Sequence, residues 1–298
     1  MLYPAFKDAK SVGVYQFDAG LAYAINPFIN LEVNYFSKIY KDFTYQRYLP
    51  NISGIDYEYE TGGSIGLAGV EFNLDGRWIN TRNFRWSTNL NVAAYKNKVR
   101  SLPADIENTS IAYLAALKKG DAVTSLVAYE GNQQKVIGNS EAKAFGGVSN
   151  TIRYKNISAS MTVSYAFGAD VVAESFTSTY FADQVGNEFP LKSAETPYYS
   201  TSVDANGRTV YQGIRTIENG SFVRLNKAAL TYHFGSLLKR AASISDMEIF
   251  LRGDNLITLT KYSGLNPEEN ITGIRRRDLG FTGTPFPSSL VLGLKLVL

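Results

Sequence analysis

The sequence contains no cysteine and one histidine, His233. Disulfides and thiolate metal sites are therefore excluded, and a histidine-based metal site would lack its remaining ligands. No apolar run reaches the roughly 18 residues of a membrane-crossing helix. Basic and acidic side chains nearly cancel, leaving a net charge of +3 that gives no reason to expect nucleic acid. Catalytic signatures are also missing. A Ser-His-acid hydrolase would want a nucleophile elbow, and none is read here. The glycine pairs Gly62-Gly63 and Gly146-Gly147, and the Gly264 to Gly283 region, lack the strand-loop-helix order of a phosphate loop and read as strand starts and loop points. Asn266-Pro267-Glu268-Glu269-Asn270 lacks the ligand spacing of a calcium loop and reads as a solvated turn. Met1-Leu2-Tyr3-Pro4 has neither the basic start nor the apolar core of a signal peptide. No catalytic residue, cofactor or metal ligand is assigned.

What the chain has in quantity is aromatic and alternating sequence. Its 20 tyrosines and 17 phenylalanines sit among many Asn, Ser, Thr and Gly, a composition that favours strands. From Asp246 to Asp254, Met247, Ile249 and Leu251 alternate with Asp246, Glu248, Arg252 and Asp254. From Ser289 to Leu298 every second residue is leucine, opposite Ser289, Gly293 and Lys295. Period two places each set on one face of a strand. The same pattern recurs over Ser11 to Ile25, Ile29 to about Arg47, Val70 to Trp78, Phe84 to Ala94, Val148 to Tyr154, Ile157 to Phe167 and Ala228 to Phe234. Asp170 to Phe181 reads as a short helix.

These segments make about nine main strands, and their joins alternate in length. Short joins fall at 26–27, 78–83, 155–156 and 235–244; long ones fall at 48–61, 100–144, 169–220 and 261–285. Short turns at one end and long loops at the other describe the wall of an outer-membrane barrel, although the strand pattern alone also fits a soluble sandwich. The expected fold is all-β: an antiparallel transmembrane β-barrel wall of about nine strands with long extracellular loops. Trp78, Trp86, Tyr35, Tyr165 and Tyr232, near strand ends, suit aromatic girdles at the bilayer surfaces.

Several stretches resemble one family. They are Arg224-Leu225-Asn226-Lys227, the Gly-Asp-Asn-Leu turn leading to Thr260-Lys261-Tyr262-Ser263-Gly264, and Asn266-Pro267-Glu268. Phe84-Arg85-Trp86 leading to Ala94 to Val99, and Ile137 to Ser140 leading to Phe145-Gly146-Gly147, agree with them. In order and spacing the chain is similar to the C-terminal part of the barrel of SusC/RagA-type TonB-dependent outer-membrane transporters. One departure is Leu298, where such barrels often end on an aromatic residue. The resemblance implies a larger barrel of the 22-stranded, plugged type. It also implies an outer-membrane location in a Gram-negative, Bacteroidetes-type bacterium. On this reading residues 1–298 are the later part of the barrel, with the plug domain and N-terminal strands supplied outside this sequence. The implied partners are the rest of the barrel and its plug, TonB, a SusD-like surface lipoprotein and the lipid bilayer. The implied function is import of oligosaccharides or oligopeptides. The rivals are a structural or assembly component that keeps the wall without transport, and a small free-standing porin.

Binding residues follow from the alternation. Glu32, Lys38, Arg85, Asn89, Asn91, Arg153, Lys227 and Arg252 lie on the polar side of their strands and are the lumen-facing candidates. His233 joins them as a lumen or turn residue. In the long loops Tyr129, Tyr180, Tyr198, Tyr199 and Tyr211 stand among amides and charges, a mixture suited to sugars or peptides, and are the ligand candidates. For each of them, packing against other loops is an equally good reading.

Overall fold

Fourteen residues, Gly13–Asn26, form the first strand, β1. Asn26-Pro27 cannot continue it, and the chain reverses into β2, Ile29–Tyr48, where the Asn26 side chain accepts a hydrogen bond from the Phe28 amide at 2.8 Å. β3 is Tyr57–Asn80 and β4 is Phe84–Ser101. Two short hairpins follow: β5, Ser110–Ala112, with β6, Ala115–Ala116, and then β7, Ser125–Glu130, with β8, Gln133–Asn139. β9, Ala144–Tyr154, returns to the main sheet and turns at Lys155-Asn156 into β10, Ile157–Phe167. β11, Asp170–Ser175, β12, Ser200–Val203, β13, Thr209–Gln212, and β14, Ile214–Asn219, occupy the second excursion. The series closes with β15, Phe222–His233, β16, Asp246–Thr260, and β17, Ser289–Val297. The computed structural model describes residues 10–48, 57–103, 110–112, 115–130, 133–175, 200–203, 209–212, 214–234, 246–262, 266–268 and 287–297.

The nine long strands form one sheet in the order β1-β2-β3-β4-β9-β10-β15-β16-β17. Every neighbouring pair is antiparallel, so the chain meanders and leaves the sheet only for the two excursions. β1 and β17 are its edges and do not pair with each other. This is the expected architecture, and the barrel is not closed within this chain.

Three expectations need correction. β3 begins at Tyr57, well before Val70, because β2 runs to Tyr48 and pairs with it residue by residue. The segment Gly62-Gly63 therefore lies inside a strand instead of starting one, with Gly63 at φ 72 against the Phe43 ring. The segment from Asp170 is not a helix as far as Ser175; β-branched Val171 and Val172 sit in β11, which pairs with β14. Residues 176–181 of that expected helix lie outside the described residues.

Register fixes which side chains share a face. Tyr23, Leu31, Leu74, Leu90, Val148 and Val163 are linked strand to strand by direct pairing, and so are Ile157, Tyr232, Ile249 and Leu294. This apolar face is open. Leu21 is 68% exposed, Leu290 72% and Leu292 76%, with no second layer over them among the described residues. A soluble sandwich would cover such a face; a wall standing in lipid leaves it bare. Near the short turns it carries aromatic rings. Trp78 and Trp86 lie 6.3 Å apart, Phe84 and Tyr154 6.5 Å, and Tyr232 and Phe234 4.8 Å.

Candidate functional site: the polar face of the wall

The opposite face collects the polar residues. Glu32 pairs with Asn73, Asn73 with Asn91, Asp75 with Asn89 and Asn89 with Ser149. Arg85 pairs with Arg153, Thr162 with Lys227, and Lys227 with Asp254. Lys38 lies on this face opposite Leu67, its ammonium 5.8 Å from the Phe36 ring centroid. Arg252 pairs with Val291 and donates from Nε to Asp254 at 3.0 Å. All eight strand candidates thus share one face. Many are tied to neighbours. Asn89 donates to Asp75, Asn34 donates to Glu32 at 2.9 Å, and Asn91 accepts from the Gly147 amide at 2.9 Å. A shallow depression of about 390 Å³ lies between Asn30, Asp75, Arg77, Asn89, Ser149 and Thr151.

Of the loop candidates, Tyr129 stands in β7 and Tyr211 in β13. Tyr180, Tyr198 and Tyr199 lie outside the described residues.

Three strands bring together a chain that sequence reading did not assemble. Ser158 Oγ on β10 is 2.9 Å from His233 Nε2 on β15, and His233 Nδ1 is 3.0 Å from Glu248 Oε1 on β16. Lys295 Nζ on β17 lies 3.9 Å from the other Glu248 oxygen. Nucleophile, base and orienting acid are in the order of a hydrolytic triad. Hydrolysis also needs donors aimed at a developing oxyanion. β10 is paired on both sides, so the backbone amides around Ser158 are held in the ladder. Gly62-Gly63-Ser64-Ile65-Gly66 has the spacing of a nucleophile elbow, but Ser64 sits within β3, 2.6 Å from Ser101 and with no helix after it.

Two further clusters hold the long connections. Arg224 on β15 is only 5% exposed; its Nε donates to Thr258 at 3.0 Å and its Nη2 to Asn266 at 3.1 Å, and it ion-pairs with Glu268. Asn266 is 5% exposed and also accepts from the Glu268 amide at 3.0 Å. Asn266-Pro267-Glu268 is therefore a buried anchor, which corrects the solvated turn expected from sequence. The reason is a cation to bind: a buried guanidinium needs a carboxylate and acceptors, and this turn supplies them. On β4, Asn97 accepts from the Val123 amide at 2.6 Å and donates to Thr124 at 3.0 Å and to Glu141. Thr124 in turn donates to Asn139 at 2.8 Å, and Asp170 accepts from the Asn139 amide at 2.9 Å. Alternation marks Asn97 as polar-facing, but its partners lie 26 to 44 residues away.

No family model matches the chain. Three TonB-dependent receptors of Formosa agariphila do. Receptor P3 is 24% identical over 86% of this chain and 30% of its own length, and receptor P26 is 22% identical over 89% and 32%. Receptor P39 is 25% identical over 55% of this chain and 17% of its own. Among solved structures, the RagAB peptide transporter superposes with a TM-score of 0.72 over 95% of this chain and 35% of that one, at 20% identity. The wall is similar in sequence to TonB-dependent receptors and shares the fold of the RagAB transporter. It stands in the outer membrane. The chain spans about a third of the length of the receptors P3 and P26. In this wall, the residues that carried the sequence resemblance are neighbours: Arg224 of the Arg-Leu-Asn-Lys stretch binds Asn266 and Glu268.

Proposed function

We propose that this wall belongs to an importer of oligopeptides or oligosaccharides, and that its polar face lines the lumen. The observation that supports this reading is the division of the sheet. One face is bare leucine and aromatic, and the other presents paired amides and charges from Glu32 across to Arg252. A polar face around a plug gives a cargo hydrogen-bonding partners at every strand while lipid covers the other side. The rest of the barrel and a plug complete the lumen, TonB supplies the energy, and a SusD-like lipoprotein closes the outer mouth. The long excursions, with Tyr129 and Tyr211 among them, face outward toward cargo. A peptide cargo has a precedent in RagAB, whose solved structures describe a peptide transporter and importer.

The experiment is uptake of labelled oligopeptides and oligosaccharides by cells carrying the whole receptor, with and without TonB. Accumulation of one class that depends on both is expected. TonB-independent leakage of both classes would favour a porin, and no uptake of either would favour a structural component of the membrane.

A further inference from the structure

The apolar face ends abruptly, and it ends on cations. Along β4 the lipid-side positions are Phe84, Trp86, Thr88, Leu90, Val92 and Ala94, then Lys96 and Lys98. The first six positions cover 11 residues, the length of strand that crosses a bilayer at a barrel's tilt. Lys96 pairs with Ala68 and Lys98 with Gly66. Arg100 sits at a register shift, and its guanidinium lies over Gly66, where a Cβ would collide with it. Lys41 of β2, opposite Ser64, extends the group toward β1, its ammonium 4.7 Å from the Tyr15 ring centroid. Lys41, Lys96, Lys98 and Arg100 are all exposed. Among the described residues, none of Lys96, Lys98 and Arg100 has a carboxylate partner. On the neighbouring strands β2 and β3, Glu32, Glu71 and Asp75 lie on the polar face, turned away from these cations.

Like charges on one strand face repel, and no carboxylate among the described residues offsets that repulsion here. We propose that Lys96, Lys98 and Arg100, with Lys41, bind the phosphate groups of the phosphorylated glycolipid that forms the outer leaflet. The cations stand on the lipid side, directly above the apolar band and at the end bearing the long connections. Aliphatic stems packed along the strand bring their charged heads to head-group level. Arg100, lying across the Gly66 gap, offers a planar fork that suits a phosphate, and the lysines add point charges. The site rests on the reading that the long connections face outward.

The test uses the whole receptor, purified from outer membranes and reconstituted in nanodiscs. The probes are bisphosphorylated lipid A, dephosphorylated lipid A and phosphatidylglycerol, and retained lipid is read by native mass spectrometry. Retention of bisphosphorylated lipid A over the other two is expected. Lys96→Gln with Lys98→Gln weakens it by about fivefold for each charge removed. The polar-face pair Lys38→Gln with Lys227→Gln removes the same charge and leaves retention unchanged. Equal retention of all three lipids by the unaltered receptor, which requires no variant to fold, overturns the proposal. Equal retention of phosphatidylglycerol and bisphosphorylated lipid A alone would show a general anionic surface and also overturns it. Orientation is tested separately with Lys98→Cys and a membrane-impermeant maleimide on intact cells. An unlabelled cysteine overturns the outward reading, whereas a labelled one with unselective lipid retention overturns only the lipid site.

Discussion

At the scale of single residues, register makes opposite demands on neighbours. Leu294 pairs with Ile249 on the bare face, and Val291 pairs with Arg252 on the polar one. Leu294→Arg is expected to cost about 2–4 kcal/mol of folding free energy at mid-bilayer, while Val291→Arg is tolerated. The yield of heat-modifiable barrel from the whole receptor reads the difference, and equal losses would show the faces to be reversed. Asn150 is a polar residue within the apolar band, and it is satisfied: Thr88 donates to its oxygen at 2.6 Å and Trp86 Nε1 at 3.2 Å. Asn266→Ala removes an acceptor from buried Arg224 and should cost about 1–3 kcal/mol, seen as a lower midpoint in thermal unfolding of the barrel. An unchanged midpoint would mean that water reaches the guanidinium. Period two revealed the face of every strand candidate. It did not reveal Ser158 with His233 and Glu248, because β15 returns beside β10 only after a long excursion, or Arg224 with Asn266, because the segment after β16 turns back onto β15.

At the scale of elements, the strand count and the alternation of short and long joins were legible, since a half-bare strand writes its two environments into the sequence. Strand ends were less so. The run Thr61-Gly62-Gly63-Ser64 has no apolar alternation, and its strand form comes from Lys41, Phe43 and Thr44 across the ladder. Asp170 to Ser175 read as helix because nothing local identifies its partner, β14, about 40 residues later. The β7–β8 hairpin is held to the wall through Asn97, whose amide meets Val123, Thr124 and Glu141. Asn97→Ala should free that hairpin and leave the wall intact. Limited proteolysis would then cut between Leu117 and Asn139 in the variant first, with no change in heat-modifiability. Protection equal to the unaltered receptor would assign the hairpin's position to other contacts.

At the scale of the whole molecule, two edges dominate. Among the described residues, β1 and β17 each present an unpaired row of backbone N–H and C=O groups. In hydrocarbon each such group costs several kcal/mol. Residues 1–298 exported with a signal peptide should therefore yield no heat-modifiable, protease-resistant barrel. A stable closed monomer with β1 bonded to β17 would replace the importer reading with the small porin. Strand length carries one more consequence. β2 has 20 residues and β3 has 24, whereas about 10 suffice to cross the hydrocarbon. More than half of β3 must then stand clear of the lipid, as a rim rising roughly 30 Å at a barrel's usual tilt. On the importer reading, cargo arriving from outside would enter a protein-walled vestibule well before it reaches the level of the bilayer, and capture and crossing would take place at different heights.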